Sequence, residues 1–139
     1  MLLTGTHPRT LDDKKRLVLP RRVREQLAEP SLLYVTPGPD QSLWLFTQEC
    51  LERQADRLDQ GPSNSGDTRV FRRLWFAQTE AVDVDKSGRI LLPDRLVALA
   101  GLSHEVVLLG VRDHLELWDS KRWQDYTQQH AAGLDGGLW

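Results

Sequence analysis

One ten-residue phrase occurs twice in this chain, as LDDKKRLVLP at 11–20 and as VDKSGRILLP at 84–93. Asp12 maps onto Asp85, Arg16 onto Arg89 and Pro20 onto Pro93, all at an offset of 73. The likeness continues downstream, where SLWLFT at 42–47 matches HLELWD at 114–119 at an offset of 72, a one-residue slip that a loop absorbs. Such self-similarity implies two copies of one supersecondary unit. Each copy holds too little apolar material to enclose a core alone, so the expected fold is one interior shared by both.

The two units read alike. An extended segment (Leu2 to Arg9, Phe76 to Val82) is followed by a polar turn, DDKK or DKSG, and a short apolar run. A helix then opens on Pro20 or Pro93, since the missing proline N–H costs nothing at a first helical position. Val23 and Leu27 stand on one face of the first helix; Leu96, Leu99 and Ala100 do so in the second, which Gly101 stops. Two strands follow in each unit, LLYVT then SLWLF, and EVVLLG then HLELW, joined by turns at PGPDQ and VRD. Closing helices start at Thr47 and Asp119, both good N-caps. TRVFRRLWF reads as a short connector helix and QGPSNSGD as a flexible link. The predicted organisation is a first unit with closing helix at 1–60, a linker and connector helix at 61–76, and a second unit with closing helix and loose tail at 77–139.

Composition narrows the function classes. A chain of 139 residues that is 40% apolar and 27% charged reads as a soluble globular protein. No run reaches the roughly 18 apolar residues of a membrane span, and MLLTGTHPRT lacks the apolar centre of a signal peptide. The lone Cys50 rules out an intrachain disulfide and fits a reducing cytoplasm. Its expected place is a buried helix position. His7, His104, His114 and His130 have no partner at metal-ligand spacing, and neither a phosphate loop nor a serine-nucleophile motif occurs. An enzyme, a cofactor and a small-molecule substrate are therefore not expected. The net charge of −2 does not advertise nucleic-acid binding, yet Arg9 to Arg24 contains seven basic residues and two acids.

Within the repeated phrase, Asp and Arg lie four residues apart across a tight turn. One reading is structural: the carboxylate accepts turn N–H bonds and pins the guanidinium. The other adds a function. An arginine already held by its neighbour meets a ligand pre-organised, and phosphate oxygens or the O6/N7 edge of guanine suit it. Lys14 and Lys15 beside Arg16, and Lys86 near Arg89, would add sequence-independent attraction to a phosphate backbone. The two readings are compatible.

TLDDKKRLVLPRRVREQL at 10–27, VDKSGRILLPDRLVALAGL at 84–102 and EVVLLGVRDHLELWDSKRW at 105–123 resemble the paired Asp-x-x-x-Arg signatures of the MraZ family, bacterial proteins built from two tandem SpoVT-AbrB units. The resemblance implies an α+β, mainly β fold: two AbrB-like half-units forming one swapped-hairpin β-barrel core with peripheral helices. It implies self-association into a ring, and sequence-specific binding of double-stranded DNA at promoters with short direct repeats. The site would be nucleoid-associated, at the cell-division and cell-wall gene cluster. Carried over, the DNA-binding candidates are Asp12, Lys14, Lys15, Arg16, Asp85, Lys86 and Arg89. Where the family's first signature has Lys-Gly-Arg, this chain places Lys15 at the glycine position. The alternative is an AbrB-type protein-interaction module such as an antitoxin, marked by a disordered arm, for which the last ten residues are the one candidate.

Overall fold

The computed structural model describes residues 1–60 and 66–132. The first half runs β1 (Thr6–Thr10), β2 (Arg16–Val18), α1 (Arg21–Gln26), β3 (Leu32–Gly38), β4 (Ser42–Phe46) and α2 (Gln48–Gln60). After α3 (Gly66–Gln78) the order repeats as β5 (Glu80–Asp83), β6 (Arg89–Leu91), α4 (Asp94–Leu99), β7 (Glu105–Val111), β8 (His114–Asp119) and α5 (Ser120–Gln129). The fold is mainly β with helices, as expected.

The halves trade strands. Six strands form an antiparallel sheet in the order β1-β7-β8-β4-β3-β5, so the first strand of each half pairs with the other half's hairpin. The remaining two, β2 and β6, form a separate antiparallel ribbon, one strand from each half. A pseudo-twofold relates the copies through two central pairs, Trp44↔Glu116 in the sheet and Leu17↔Ile90 in the ribbon. β1 and β5 are the sheet's edges, and among the described residues no pairing closes them into a barrel.

The one-residue slip lies in the hairpin turns. β3 reaches β4 through a 3-10 turn at Pro39–Gln41, whereas β7 reaches β8 through Arg112 and Asp113 alone. The apolar runs are explained by burial on two faces. On one face of the sheet, Leu33, Val35, Leu43, Leu45, Val106, Leu108, Leu115 and Leu117 pack with Leu17 and Ile90 of the ribbon and with Val23, Leu27 and Leu96 of α1 and α4. This interior draws on both halves. On the opposite face, α2 and α3 cover Phe46, Tyr34 and Trp44, while α5 places Trp123 and Tyr126 over Val107, Leu109 and Trp118. Trp44 and Trp118 are thus outside the shared interior, because alternation along β4 and β8 sends them to the helix-covered face.

Several local expectations hold. Val23 and Leu27 are buried, Gly101 ends α4 at φ 62, and Thr47 Oγ1 accepts the Cys50 N–H at 3.3 Å. Cys50 itself is buried. Others are corrected. Pro20 and Pro93 are N-caps rather than first helical residues, and Leu99 is exposed while Val97 turns inward. The connector helix runs on to Gln78, so the second unit's extended segment begins at Glu80 rather than Phe76. Asp119 is the N-cap of α5 by position, as expected, but its side chain makes no capping hydrogen bond; Ser103 holds the carboxylate through its N–H at 3.0 Å and hydroxyl at 2.7 Å. The link's residues 61–65 and the tail's 133–139 lie outside the described residues.

One polar cluster was not foreseen. His114 is buried on the helix-covered face, its Nδ1 3.0 Å from Asp113 Oδ1 and its Nε2 2.9 Å from Glu116 Oε2, with Trp44 stacked on the ring. Burial pulls the imidazole pKa down, but the hydrogen bond to Glu116 and then that to Asp113 outweigh it, and the net shift is upward. A raised folded pKa gives stability that is complete below the ordinary histidine value of about 6.5 and fades as pH rises through the raised value. Thermal melts should therefore show a higher midpoint at mildly acidic than at mildly alkaline pH, and His114→Gln should shrink that difference. A pH profile unchanged in the variant would refute the charged state of His114.

Candidate nucleic-acid interface

Each repeated phrase folds into the same turn. In the first, Asp12 Oδ1 accepts the N–H groups of Lys14 and Arg16, both at 2.9 Å, and Oδ2 accepts Arg16 Nε–H at 2.6 Å. In the second, Asp85 Oδ1 accepts the N–H groups of Ser87 and Arg89, both at 2.9 Å, and Oδ2 accepts Arg89 Nε–H at 2.8 Å. One carboxylate thus closes the turn and fixes the guanidinium at once. The Arg16 N–H, ahead of its side chain, holds the Asp12 carboxyl below its ordinary pKa, and Arg89 does the same for Asp85. These carboxylates stay ionised, and the tethers intact, until the pH falls below the usual aspartate range.

The ribbon decides where the arginines face. Arg16 pairs with Leu91 and Val18 with Arg89, while Leu17 and Ile90 pair between them. Directly opposed residues share a face and neighbours alternate. Leu17 and Ile90 point into the core, so Arg16, Val18, Arg89 and Leu91 all lie on the outward face. Two residues of rise and one strand spacing put the two arginine Cα atoms about 8 Å apart. Their side chains are 35% and 40% exposed, and Val18 and Leu91 between them are exposed too. Two tethered guanidinium groups therefore stand together on one solvent-facing surface.

The turns also interlock. Leu92 N–H donates to Lys15 O at 3.0 Å, and Leu19 N–H donates to Gly88 O at 2.8 Å, so each turn is braced by the other half's chain. The residue before each arginine has positive φ: 79° at Gly88 and 61° at Lys15. A lysine there carries strain of about 1 kcal/mol that glycine escapes.

The family model described as "MraZ protein, putative antitoxin-like" matches residues 2–74 and again 75–136. The chain belongs to the MraZ family. Among curated relatives named "Transcriptional regulator MraZ", that of Saccharopolyspora erythraea is 38% identical over 129 residues, 93% of this chain and 89% of its own. That of Mesoplasma florum is 35% identical over 135 residues, covering 97% and 92% respectively. That of Thermomicrobium roseum is 34% identical over 131 residues, covering 94% and 91%. The two model matches meet between α3 residues Leu74 and Trp75, so the MraZ repeat seen in the sequence spans nearly the whole fold.

The candidate residues of this MraZ chain do not stand alike. Arg16 and Arg89 are brought together; Asp12 and Asp85 are occupied in holding them. Lys14 and Lys86 are exposed at the turn tips. Lys15, expected as a free cation, instead reaches Asp94 Oδ1 of α4 at 2.9 Å. Sequence spacing gives no sign of that bond, because the partners are 79 residues apart and meet only through the ribbon. No helix among the described residues is long and apolar enough to cross a membrane, and no metal-holding cluster occurs among them.

Proposed function

We propose that this chain is a sequence-specific DNA-binding transcriptional regulator that presents the Arg16 and Arg89 turns to one double helix. The observation that carries this reading is the shared outward face of the two carboxylate-tethered guanidinium groups. Arginine held in this way keeps its Nη donors for guanine O6/N7 or for phosphate, and loses less freedom on binding than an untethered side chain. Asp12 and Asp85 position; Arg16 and Arg89 read; Lys14, Lys86 and, in part, Lys15 attract the backbone. The relatives' name, which specifies regulation of transcription, points the same way.

One chain offers few contacts, so self-association into a ring would multiply the turns and raise avidity. Such a ring engages short direct repeats in a promoter, at about one helical turn of spacing. The target in this reading is the promoter of the cell-division and cell-wall gene cluster, in the nucleoid. Capture of sheared genomic DNA on the purified protein, followed by sequencing, tests it. The expected result is enrichment of fragments with closely spaced repeated boxes upstream of that cluster. Uniform recovery of the genome would defeat it, and a stoichiometric small protein co-purifying in place of DNA would favour the antitoxin alternative.

A further inference from the structure

The strand exchange places each half's short helix against the other half's turn, and the two helices differ in charge. Over the first turn lies α4, whose Asp94 takes Lys15 Nζ at 2.9 Å. Over the second lies α1. A Cβ on Gly88 would fall 2.7 Å from both Cδ and Nε of Arg24, and 2.9 Å from its Cζ, so the guanidinium stem of Arg24 rests directly on Gly88. The stem needs that space: Gly88, with φ 79, is the only kind of residue that fits under it. Arg24 is half-buried, its Nε is out of water, and among the described residues it has neither a hydrogen-bond acceptor nor an ion-pair partner. An arginine fixed by packing and lacking an acceptor is poised for an external anion.

We infer that Arg24 is a further phosphate-binding residue of the second turn, lent by the first half of the chain, and that the two turns are unequal. The inference rests on the DNA-binding reading above. Around the second turn, Arg24, Lys86 and Arg89 face a single carboxylate, that of Asp85. Around the first, Lys14, Lys15 and Arg16 are matched by Asp12, Asp13 and Asp94. The net local charge is therefore +2 at the second turn and zero at the first. The first turn retains its arginine for reading bases but little surplus attraction for phosphate. The second carries both, and anchors the chain on the backbone.

The pseudo-twofold explains how this asymmetry arises from near-identical phrases. Arg24 and Val97 occupy corresponding positions, as do Arg21 and Asp94, at the same offset of 73 as the phrases themselves. Three changes weigh against the first turn: aspartate (Asp13) where the second turn has lysine (Lys86), aspartate for arginine at the start of the helix over it, and valine for arginine one turn on. Each lowers the free positive charge at the first turn relative to the second.

Binding to random-sequence double-stranded DNA isolates phosphate contact from base reading. Arg24→Met keeps the apolar stem over Gly88 and removes the charge; Arg24→Lys keeps the charge. Arg24→Met should weaken binding roughly tenfold near physiological salt and flatten the slope of log affinity against log salt by about 0.9 per bound subunit. Arg24→Lys should retain most of both, and melting midpoints should match the parent. A parent-like salt slope in Arg24→Met, with the parent itself binding, would overturn the inference and leave the DNA reading standing. Equal losses in the Met and Lys variants would also overturn it, by showing a packing role. Absence of salt-sensitive binding by the parent would remove the DNA reading and this inference together.

Discussion

Arg89→Ala weakens binding to a specific promoter duplex by about 100-fold or more, with the fold intact. A bidentate arginine–guanine contact contributes about 1–3 kcal/mol, and in the ring proposed above each engaged subunit would lose it together, so the deficit would multiply. The fold survives because the Arg89 side chain is 40% exposed and its ion pair with Asp85 is a surface one. Such solvent-screened pairs contribute little to stability. Arg16→Ala should act in the same direction at the first turn, whose side chain is similarly open. Gel-shift titration, with circular dichroism as the control for folding, measures this. Unchanged specific affinity in both variants would end the assignment of these turns as the reading elements.

Ile90→Ala unfolds the protein far more readily than Leu91→Ala, although the residues are neighbours on β6. Ile90 is 1% exposed and packs into the interior shared by sheet, ribbon, α1 and α4, whereas Leu91 is 58% exposed. Removing a buried isoleucine side chain costs about 2–5 kcal/mol, the lost transfer energy plus that of the cavity left behind. An exposed leucine costs within about 0.5 kcal/mol. In a chain of this size the first loss lowers the thermal midpoint by roughly 10 °C. Ile90 pairs with Leu17 of the other half, so the damage is not confined to one unit. A single cooperative transition, shifted as a whole, is the expected melt. Two separated transitions, with only the second shifted, would contradict the shared interior.

Much of this was readable from residue order because it depends on local chemistry. An aspartate four residues before an arginine, with a turn between, closes the same ring of hydrogen bonds wherever it occurs, and the sequence shows it twice. The strand segments were legible from runs bounded by Gly, Pro and Asp. The helix stop at Gly101 followed from its freedom to adopt positive φ. The left-handed strain at Lys15 could be anticipated from its position opposite Gly88 in the repeat.

What residue order left open was every contact between positions far apart in the chain. EVVLLG does not say which of its residues face the ribbon and which face α5; sheet register decides it, and sends Val106 and Leu108 one way, Val107 and Leu109 the other. His114 looked isolated until β4 and β8 paired and Trp44 closed over it. Lys15 has no acid partner in its own turn that accounts for it; strand exchange brings Asp94 beside it. The repeat therefore determined two copies of an aspartate-held arginine, because that geometry is closed within five consecutive residues. Only the tertiary structure decided that both arginines share one face and that Arg24 lies against the second turn. Those facts come from which strand each half gives to the other, a choice made by the burial of Leu17 and Ile90 together rather than by any local preference.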